Sequence, residues 1–362
     1  LPKCIESLLA QSFSDWEAII VNDGSTDDTD SICKRYVLRD SRITVINQTN
    51  QGLSAARNSG IKNSKGKWLQ FVDADDYLLE NCLEMAYDKL KNSSFDIVWH
   101  SGYLLVDKLG GEIWHQNRFD AASYLWDIVS KGGIGPPLSL FISKELVNEV
   151  GYFDTALSSA EDWDYWIRAG KLGAKYAVIS EPLVAYRYLE NSMSRSAWRM
   201  YANTKSVTMR IPEHFGSSKG FYWESKIPDM KEIHKKNILQ ITGLAISQGK
   251  IEEAIEFFES ESQEFQLDYK PSDFALMNSF LNFRYQYGRE AVAKVLNIYR
   301  PYFVEFFRLL KCDPSYNKLA LGYIFERHQK NYNLFYYGTL GRLFNWWYDF
   351  DLKRQSRKWE EK

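Results

Sequence analysis

The chain has 362 residues, enough for two domains with separate cores, and its 45% apolar content is that of a folded protein rather than a disordered one. With 45 Lys and Arg against 47 Asp and Glu the net charge is −2, which argues against a globally basic nucleic-acid binder, and no nucleic-acid partner is expected. No run reaches about 18 apolar residues, so no membrane span is predicted. The four cysteines, Cys4, Cys33, Cys82 and Cys312, are far apart and show no metal-type pairing. With no secretory signal in view, a reducing cytoplasm is the simplest compartment. The chain begins at Leu1-Pro2 without an initiator Met, inside what reads as a helix over 4–10, so its true N-terminus is expected to lie further upstream.

Glu17-Ala18-Ile19-Ile20-Val21 reads as a strand, and Asn22-Asp23-Gly24-Ser25 is a turn-rich exit from it. Thr26-Asp27-Asp28-Thr29 supplies cap-type residues for a helix running to about Leu38. A short second strand is expected over 43–46, and Gly52 to Gly60 opens the next helix. The third strand, Trp68 to Val72, ends in three carboxylates within four residues, Asp73, Asp75 and Asp76. A helix from about Leu78 to Leu90 follows. Strands alternating with helices of this length indicate a mostly parallel, doubly wound sheet. In such sheets ligands bind beyond the carboxyl ends of the strands, where Asp23 and the Asp73 to Asp76 run both sit, so two acidic clusters are expected to face one crevice. Carboxylates packed this tightly repel one another, and a fold that keeps them usually offers a compensating cation. Mg²⁺ in particular is held by one or two carboxylates plus substrate phosphates. The competing reading is a solvated acidic turn after a strand.

From Phe95 the pattern changes. Residues 95–100 and 103–106 read as strands, and Asp107-Lys108-Leu109-Gly110-Gly111 as a hairpin turn leading into 112–119. Gly132 to Pro137 is a loop of the kind that lines a site. After a helix near 143–150, the run Ser158 to Trp166 opens another, with Trp163, Trp166 and Ile167 on one face. Glu161 and Asp162 fall in its first turn, where the helix dipole favours negative charge. An Asp there is expected to stay ionised at neutral pH and to be available as a base; the competing reading is a helix-capping acid. Beyond about Ser196 the β signals fade. Segments near 227–248, 251–265, 272–287, 290–298 and 318–329 have helical character, with Gly249 expected in the left-handed conformation that ends the first. Residues 244–255 resemble part of a tetratricopeptide-type hairpin, but no second copy recurs at a fixed period. The tail from Asn333 carries an aromatic stripe followed by Lys353, Arg354, Arg357 and Lys358, a candidate for peripheral membrane or protein contact. Its competing reading is a stripe packed on its own domain.

Taken together, Asn22-Asp23-Gly24-Ser25, the Gly52 to Gly60 run, Asp73-Ala74-Asp75-Asp76 and Glu161-Asp162-Trp163 are specific in their order and spacing. From about Leu1 to Ser196 the chain resembles glycosyltransferase family 2, the inverting sugar transferases of the GT-A fold. The resemblance implies an α/β, GT-A-like doubly wound mixed sheet lacking its first strand, which would precede Leu1, followed by a mostly α-helical C-terminal region. Domains are accordingly expected at 1–195, catalytic, and 196–362, helical and of unassigned role. By the same resemblance Asp23 looks like the acid that accepts a hydrogen bond from a uracil-type N–H, and Asp73 like the ribose or nucleotide contact of a D-x-D element. Asp75 looks like the direct ligand of Mn²⁺ or Mg²⁺, bridging to the diphosphate, while Asp76 fixes the turn or contacts metal through water. Arg57 matches the basic position of a G-x-x-x-A-R-N run, pairing with phosphate or with an Asp of the metal element. Asp162 matches the general base of an E-D element, with Glu161 counted among the substrate-binding residues. Arg187 stands in a segment where many members read Y-R-x-H; Leu189 occupies the His position here and cannot ligate metal. Arg187 is then either a diphosphate contact or a structural ion-pair partner.

The chemistry fits these residue types on its own terms. A nucleoside-diphosphate leaving group needs its charge neutralised, and an acceptor hydroxyl, barely acidic, gains typically ~10²–10⁴-fold from a positioned carboxylate. One base opposite the leaving group gives a single displacement with inversion, and no activated Ser or Cys constellation is in view. The expected activity is metal-dependent transfer of a sugar from a nucleotide donor, UDP-linked, to a saccharide or lipid-linked saccharide acceptor, as in polysaccharide biosynthesis, in the cytoplasm or at the inner face of the membrane. Two rival readings stand beside it. One is a glycosyltransferase-like binding module without turnover, its helical region a protein-docking surface. The other is a nucleotidyltransferase, which would release pyrophosphate and leave Glu161-Asp162 without a task.

Overall fold

The structure, a computed structural model, describes residues 1–91, 94–100, 102–106, 112–115, 136–187, 196–215, 229–280, 291–337 and 340–360. The chain divides into two compact units, one of Leu1–Glu190 with Ser206–Pro228, the other of Asn191–Lys205 with Asp229–Lys362. The first is α/β and the second helical.

In the first unit, helix α1 (Pro2–Leu9) precedes β1 (Ala18–Asp23), α2 (Thr29–Arg39), β2 (Ile43–Gln48), α3 (Leu53–Asn63) and β3 (Trp68–Gln70). Next come β4 (Tyr77–Leu78), α4 (Cys82–Leu90), β5 (Ile97–His100), β6 (Leu104–Val106) and β7 (Glu112–His115). The unit continues with β8 (Leu140–Ser143), α5 (Lys144–Val150), α6 (Glu161–Lys171), β9 (Tyr176–Ile179) and β10 (Val184–Arg187). The pairing is mixed. Strand β1 pairs with β2 in parallel, β3-β8-β5-β9 form one four-stranded sheet and β4-β10-β6-β7 another. Antiparallel neighbours are β3 with β8, β5 with β8, β4 with β10, and β6 with β7.

Several boundaries differ from the sequence reading for identifiable reasons. The third strand ends at Gln70 rather than Val72, because its ladder with β8 stops at the Gln70–Phe141 pair and the next β8 residue, Leu140, pairs with Trp99 of β5. No helix begins at Leu78. Tyr77 and Leu78 instead pair with Ala185 and Val184 of β10, and the helix waits until Cys82, after Asn81 in the left-handed region. Long-range pairing overrides local propensity here, as it does for β9 and β10, whose short runs carry no strong local signal. The expected hairpin turn at 107–111 lies outside the described residues, although the β6–β7 pairing it would join is present. Of the Gly132 to Pro137 loop only its last two residues are described.

The core of this unit follows from periodicity. Cys82, Ala86 and Leu90 repeat every four residues on one face of α4 and bury with Val98, Phe141, Ala177 and Ile179 of the β3-β8-β5-β9 sheet. Fully burying side chains of the Val or Ile kind contributes roughly 1.5–3 kcal/mol each. Cys4, Cys33 and Cys82 are buried and form no disulfide, and burial pushes the Cys4 and Cys82 thiols up to about 12, which leaves them inert.

The second unit takes the first half of α7 (Ala197–Phe215), then α8 (Met230–Ser247), α9 (Ile251–Glu264), a 3₁₀ segment (Pro271–Phe280), α10 (Ala291–Leu309), α11 (Pro314–Tyr337) and α12 (Leu340–Glu360). Its core is aromatic, with Phe274, Phe303, Phe306, Phe307 and Phe325 packed around Ile238, Leu239 and Ile324. Gly249 adopts φ +78°, the Gly249 amide donates to the carbonyl of Ile246 and the Lys250 amide to that of Ala245, so α8 ends as its sequence indicates. The segment read as helical from Ser272 is 3₁₀ instead, and it runs so close to α8 that a Cβ on Gly243 would meet the Met277 carbonyl oxygen at 2.4 Å. Among the described residues no helix is long and apolar enough to cross a membrane.

Candidate active site

The site is built outward from α3. At the end of β1, the Asp23 carboxylate accepts three hydrogen bonds from the far side of the β2–α3 connection. Its Oδ1 takes the Gln51 amide at 2.9 Å and Gln48 Nε2 at 2.7 Å, and its Oδ2 takes the Gly52 amide at 2.7 Å. Gly52 is the N-cap of α3 at φ +89°, so Asp23 places a negative charge at the positive end of that helix. Gly24, at φ +77°, leaves room for this approach, since a Cβ there would sit 2.8 Å from the Asn50 amide nitrogen. The Asn22 side chain closes the same turn by accepting the Ser25 amide and donating to Asn47. A carboxylate offers about four acceptor positions, and three of those of Asp23 are already filled by the chain itself.

Helix α3 then carries a buried face that is polar rather than greasy. Ser54, Arg57, Asn58 and Ile61 fall at i, i+3, i+4 and i+7. Asn58 clamps the backbone of Phe153 from both sides, its Nδ2 donating to the carbonyl at 2.9 Å and its Oδ1 accepting the amide at 2.8 Å. Ser54 donates to the carbonyl of Leu157 at 3.3 Å. Arg57 forks: Nη1 donates to Glu161 Oε1 at 2.5 Å and Nη2 to Asp73 Oδ1 at 2.9 Å. Its guanidinium lies 5.4 Å from the Phe153 ring centroid. Burial would lower the Arg57 pKa, but the charges of Asp73, Glu161 and Asp162 outweigh that and hold it above its ordinary value. One helix therefore ties the end of β1, the acidic turn after β3 and the start of α6 together.

Helix α6 is set at its angle by aromatic packing. Trp163, Tyr165, Trp166 and Ile167 are buried, and the Tyr165 ring stacks on Phe153 with centroids 4.1 Å apart. Arg168 staples the same helix to the preceding loop through the carbonyls of Val150 and Tyr152. The N-cap residue Ala160 is left-handed, at φ +57°, a conformation that costs a non-glycine residue roughly 1–2 kcal/mol. It aims Glu161 inward to Arg57, and Asp162 follows, half-buried, with its Oδ1 accepting the Trp163 amide at 2.8 Å. Asp162 is not the fully ionised acid that its place in the first turn suggested. Burial first, and then the Glu161 charge, push it up to about 7 against the pull of Arg57 and the Trp163 amide. The helix dipole loses to desolvation and a like charge.

The three acids after β3 resolve their mutual repulsion in three ways. Asp73 pairs with Arg57. Asp76 is fully buried and is pushed up to about 8, chiefly by burial, against a hydrogen bond from the Arg187 amide to its Oδ1 at 2.8 Å; its Oδ2 has no partner. At neutral pH it is therefore largely a protonated acid. It closes a β-turn through its amide to the Asp73 carbonyl at 3.0 Å, and Arg187 braces that turn again by donating Nε to the Asp75 carbonyl. Asp75 is left over. No hydrogen bond to its carboxylate comes from another described residue, and burial together with the Asp73 charge raises its pKa against the pull of its own amide and of Arg187.

A partly buried carboxylate with no hydrogen bond from another described residue, beside a second negative charge, is a donor that suits a hard divalent ion. Among the described residues no group of three or more His, Cys, Asp or Glu is arranged to enclose one. The fit is thus to a Mg²⁺- or Mn²⁺-type ion held by one carboxylate together with phosphate and water oxygens, not to a closed protein cage. Of the residues singled out in the sequence, Asp73, Arg57 and Glu161 are in direct contact, Asp75 and Asp162 adjoin them, Asp23 holds the other end of α3, and Arg187 lies behind the acidic turn. Leu189 lies outside the described residues. The positioning roles of Ser54, Asn58 and the left-handed Ala160 escaped the sequence reading. The signals available were a polar stripe at helical spacing on α3 for the first two and, for Asn58, its place as the last residue of the G-x-x-x-A-R-N run.

Comparison with known proteins follows the same lines. A family model described as Glycosyl transferase family 2 matches residues 1–141. The chain is 29% identical over 238 residues to Glycosyltransferase GlyA of Streptococcus pneumoniae, covering 58% of this chain and 32% of that protein. It is 30% identical over 210 residues to Glycosyltransferase GlyG of the same organism, covering 54% of this chain and 69% of the relative. The chain thus spans about a third of the length of GlyA. A crystal structure of S. aureus TarS 1–349 in complex with UDP-GlcNAc is similar with a TM-score of 0.47 at 18% identity, over 77% of this chain and 87% of that one.

Proposed function

This chain belongs to glycosyltransferase family 2, and from that premise we propose that the α3-centred site transfers a sugar, with inversion, from a nucleoside-diphosphate donor to a saccharide or lipid-linked saccharide hydroxyl. One observation carries the proposal. Arg57 binds the turn that bears Asp75 and the helix start that bears Asp162 in a single buried ion-pair network, so a metal-ready carboxylate and a base with a raised pKa are held together.

In this reading Asp162 accepts the proton of the acceptor hydroxyl as its oxygen bonds to the anomeric carbon. The bond from that carbon to the diphosphate oxygen breaks on the opposite face, and the diphosphate leaves with the electron pair. A base whose pKa lies near the working pH is well matched to that step. Asp75 would hold the divalent ion, with Asp73 beside it facing the nucleotide; the ion, when bound, supplies Lewis-acid neutralisation of the diphosphate charge. Asp23 keeps one acceptor position for a nucleobase N–H of the uracil type, and its other contacts hold the loop 48–52 that such a base would rest against. Arg57, Asn58 and Arg187 position the acids.

Incubation with a panel of UDP-, GDP- and dTDP-sugars, with and without Mn²⁺, tests the proposal through the product. Release of nucleoside diphosphate that needs Mn²⁺ and is greatest with a UDP-sugar is expected. Pyrophosphate as product would assign a nucleotidyltransferase, and tight UDP binding with no release at all would assign a binding module.

A further inference from the structure

We propose that the outward face of α12 docks onto an anionic lipid surface. The inward face of this helix is committed. Leu352 is buried, Tyr348 donates its hydroxyl to the carbonyl of Gly322 on α11 at 2.9 Å, and Leu352 Cδ1 lies so close that a Cβ on Gly322 would meet it at 2.7 Å. Packing against α11 thereby fixes which side faces out. On that side Arg342, Trp346, Phe350, Lys353, Arg354 and Arg357 follow one another at spacings of four, four, three, one and three, which is a single helical stripe.

Trp346 is 67% exposed and Phe350 55%, yet their rings stack on each other, centroids 5.9 Å apart and nearly parallel. Two large aromatics left in water in contact with each other are unusual unless something covers them. Every exposed side chain described on α12 is either one of these rings or a cation. Only Arg354 has a described acidic partner on the helix, Asp351 at 3.3 Å, and it remains 58% exposed.

The occupant follows from shape and charge. From Arg342 to Arg357 the stripe runs about 22 Å along one side of the helix at 1.5 Å per residue, a line of side chains that a plane can meet along its length. Indole and phenyl rings settle at headgroup depth, and Lys and Arg on either side of them pair with phosphates. A second copy of the same ridge is a poor partner, because an isologous pairing would set cations against cations. The inference concerns the helical unit alone and stands whether or not the α/β unit turns over a sugar donor.

Vesicle co-sedimentation of the full chain tests it, using phosphatidylcholine alone and phosphatidylcholine with about one-third phosphatidylglycerol. The wild-type chain is expected to pellet with the anionic vesicles only and to be released at about 0.5 M NaCl. W346S/F350S should weaken that binding about tenfold or more. K353Q/R354Q/R357Q should weaken it by up to about 100-fold, at roughly fivefold per charge. Equal pelleting with both vesicle types, or wild-type binding by either variant, overturns the proposal. So does self-association in the absence of vesicles that W346S/F350S abolishes, since that would assign the face to a second copy. Both variants alter only exposed side chains, so unchanged thermal melts are expected.

Discussion

Asp76 shows how far a single side chain can depart from its ordinary chemistry. Its folded pKa of about 8 lies above the ordinary 3.8 of an aspartic acid, so the native state keeps a proton that the unfolded chain gives up. Stability must then fall as pH rises from about 4 through about 8, because the native state binds more protons over that window. Asp76→Asn copies the protonated form and still offers an oxygen to the Arg187 amide. It should melt like wild type near pH 4, melt higher than wild type at neutral pH, and flatten this pH dependence in thermal unfolding. Asp76→Ala, which orphans a buried amide, should cost about 1–3 kcal/mol. A wild-type chain whose stability instead rises between pH 5 and pH 8 would mean that Asp76 is ionised in the fold. Sequence alone marks Asp76 as one acid among three; only the burial imposed by β4 and β10 separates it from Asp75. Asp162 teaches the same lesson. Its place in a first helical turn is legible, but the neighbouring charge of a buried Glu161 that sets its pKa is not.

At the level of the element, α3 does the joining. Its Gly52 start and Arg57 could be read from the sequence, as could the order of β1, α2, β2, α3 and β3, because hydrophobic period and turn residues agree there. What could not be read is which segment the polar face would meet, since Phe153, Leu157 and Glu161 lie about a hundred residues further on. The strands β4, β8, β9 and β10 share that difficulty, being short and defined by partners distant in the chain. Arg57→Ala leaves Glu161 without its cation inside the fold and should destabilise the protein by about 3–5 kcal/mol, read as a shift in the urea midpoint. Arg57→Lys should recover little of that loss, because one ammonium cannot span Asp73 and Glu161 as the fork does. An Arg57→Lys variant as stable as wild type would show that charge alone, without the fork, suffices.

Over the whole molecule, an α/β unit carrying the acids and a helical unit with an aromatic core interleave along the chain, Ser206–Pro228 counting with the first, whereas the fading β signal led to an expected single change of character near Ser196. The packing of the helical unit was less legible. The 3₁₀ segment and the Gly243 approach arise from close tertiary contact rather than from propensity. Ligand linkage provides a test at this scale, since a nucleotide bound only by the folded chain raises its melting temperature. UDP with Mn²⁺ should raise the wild-type Tm more than UDP alone, and Asp75→Ala should lose that increment while keeping the metal-free one. A variant that retains the full Mn²⁺-dependent shift would remove Asp75 from the ion's coordination.

The measurement closest to the central claim is a paired one on Asp162→Asn, with UDP binding followed by calorimetry and nucleoside-diphosphate release followed under the same Mn²⁺ concentration. Wild-type release should rise with pH through about 7, as the Asp162 carboxyl loses its proton and becomes able to accept one. The variant should bind UDP as wild type does while release falls by ~10²–10⁴-fold at every pH. Near wild-type release by Asp162→Asn, with the same pH profile, would contradict the account.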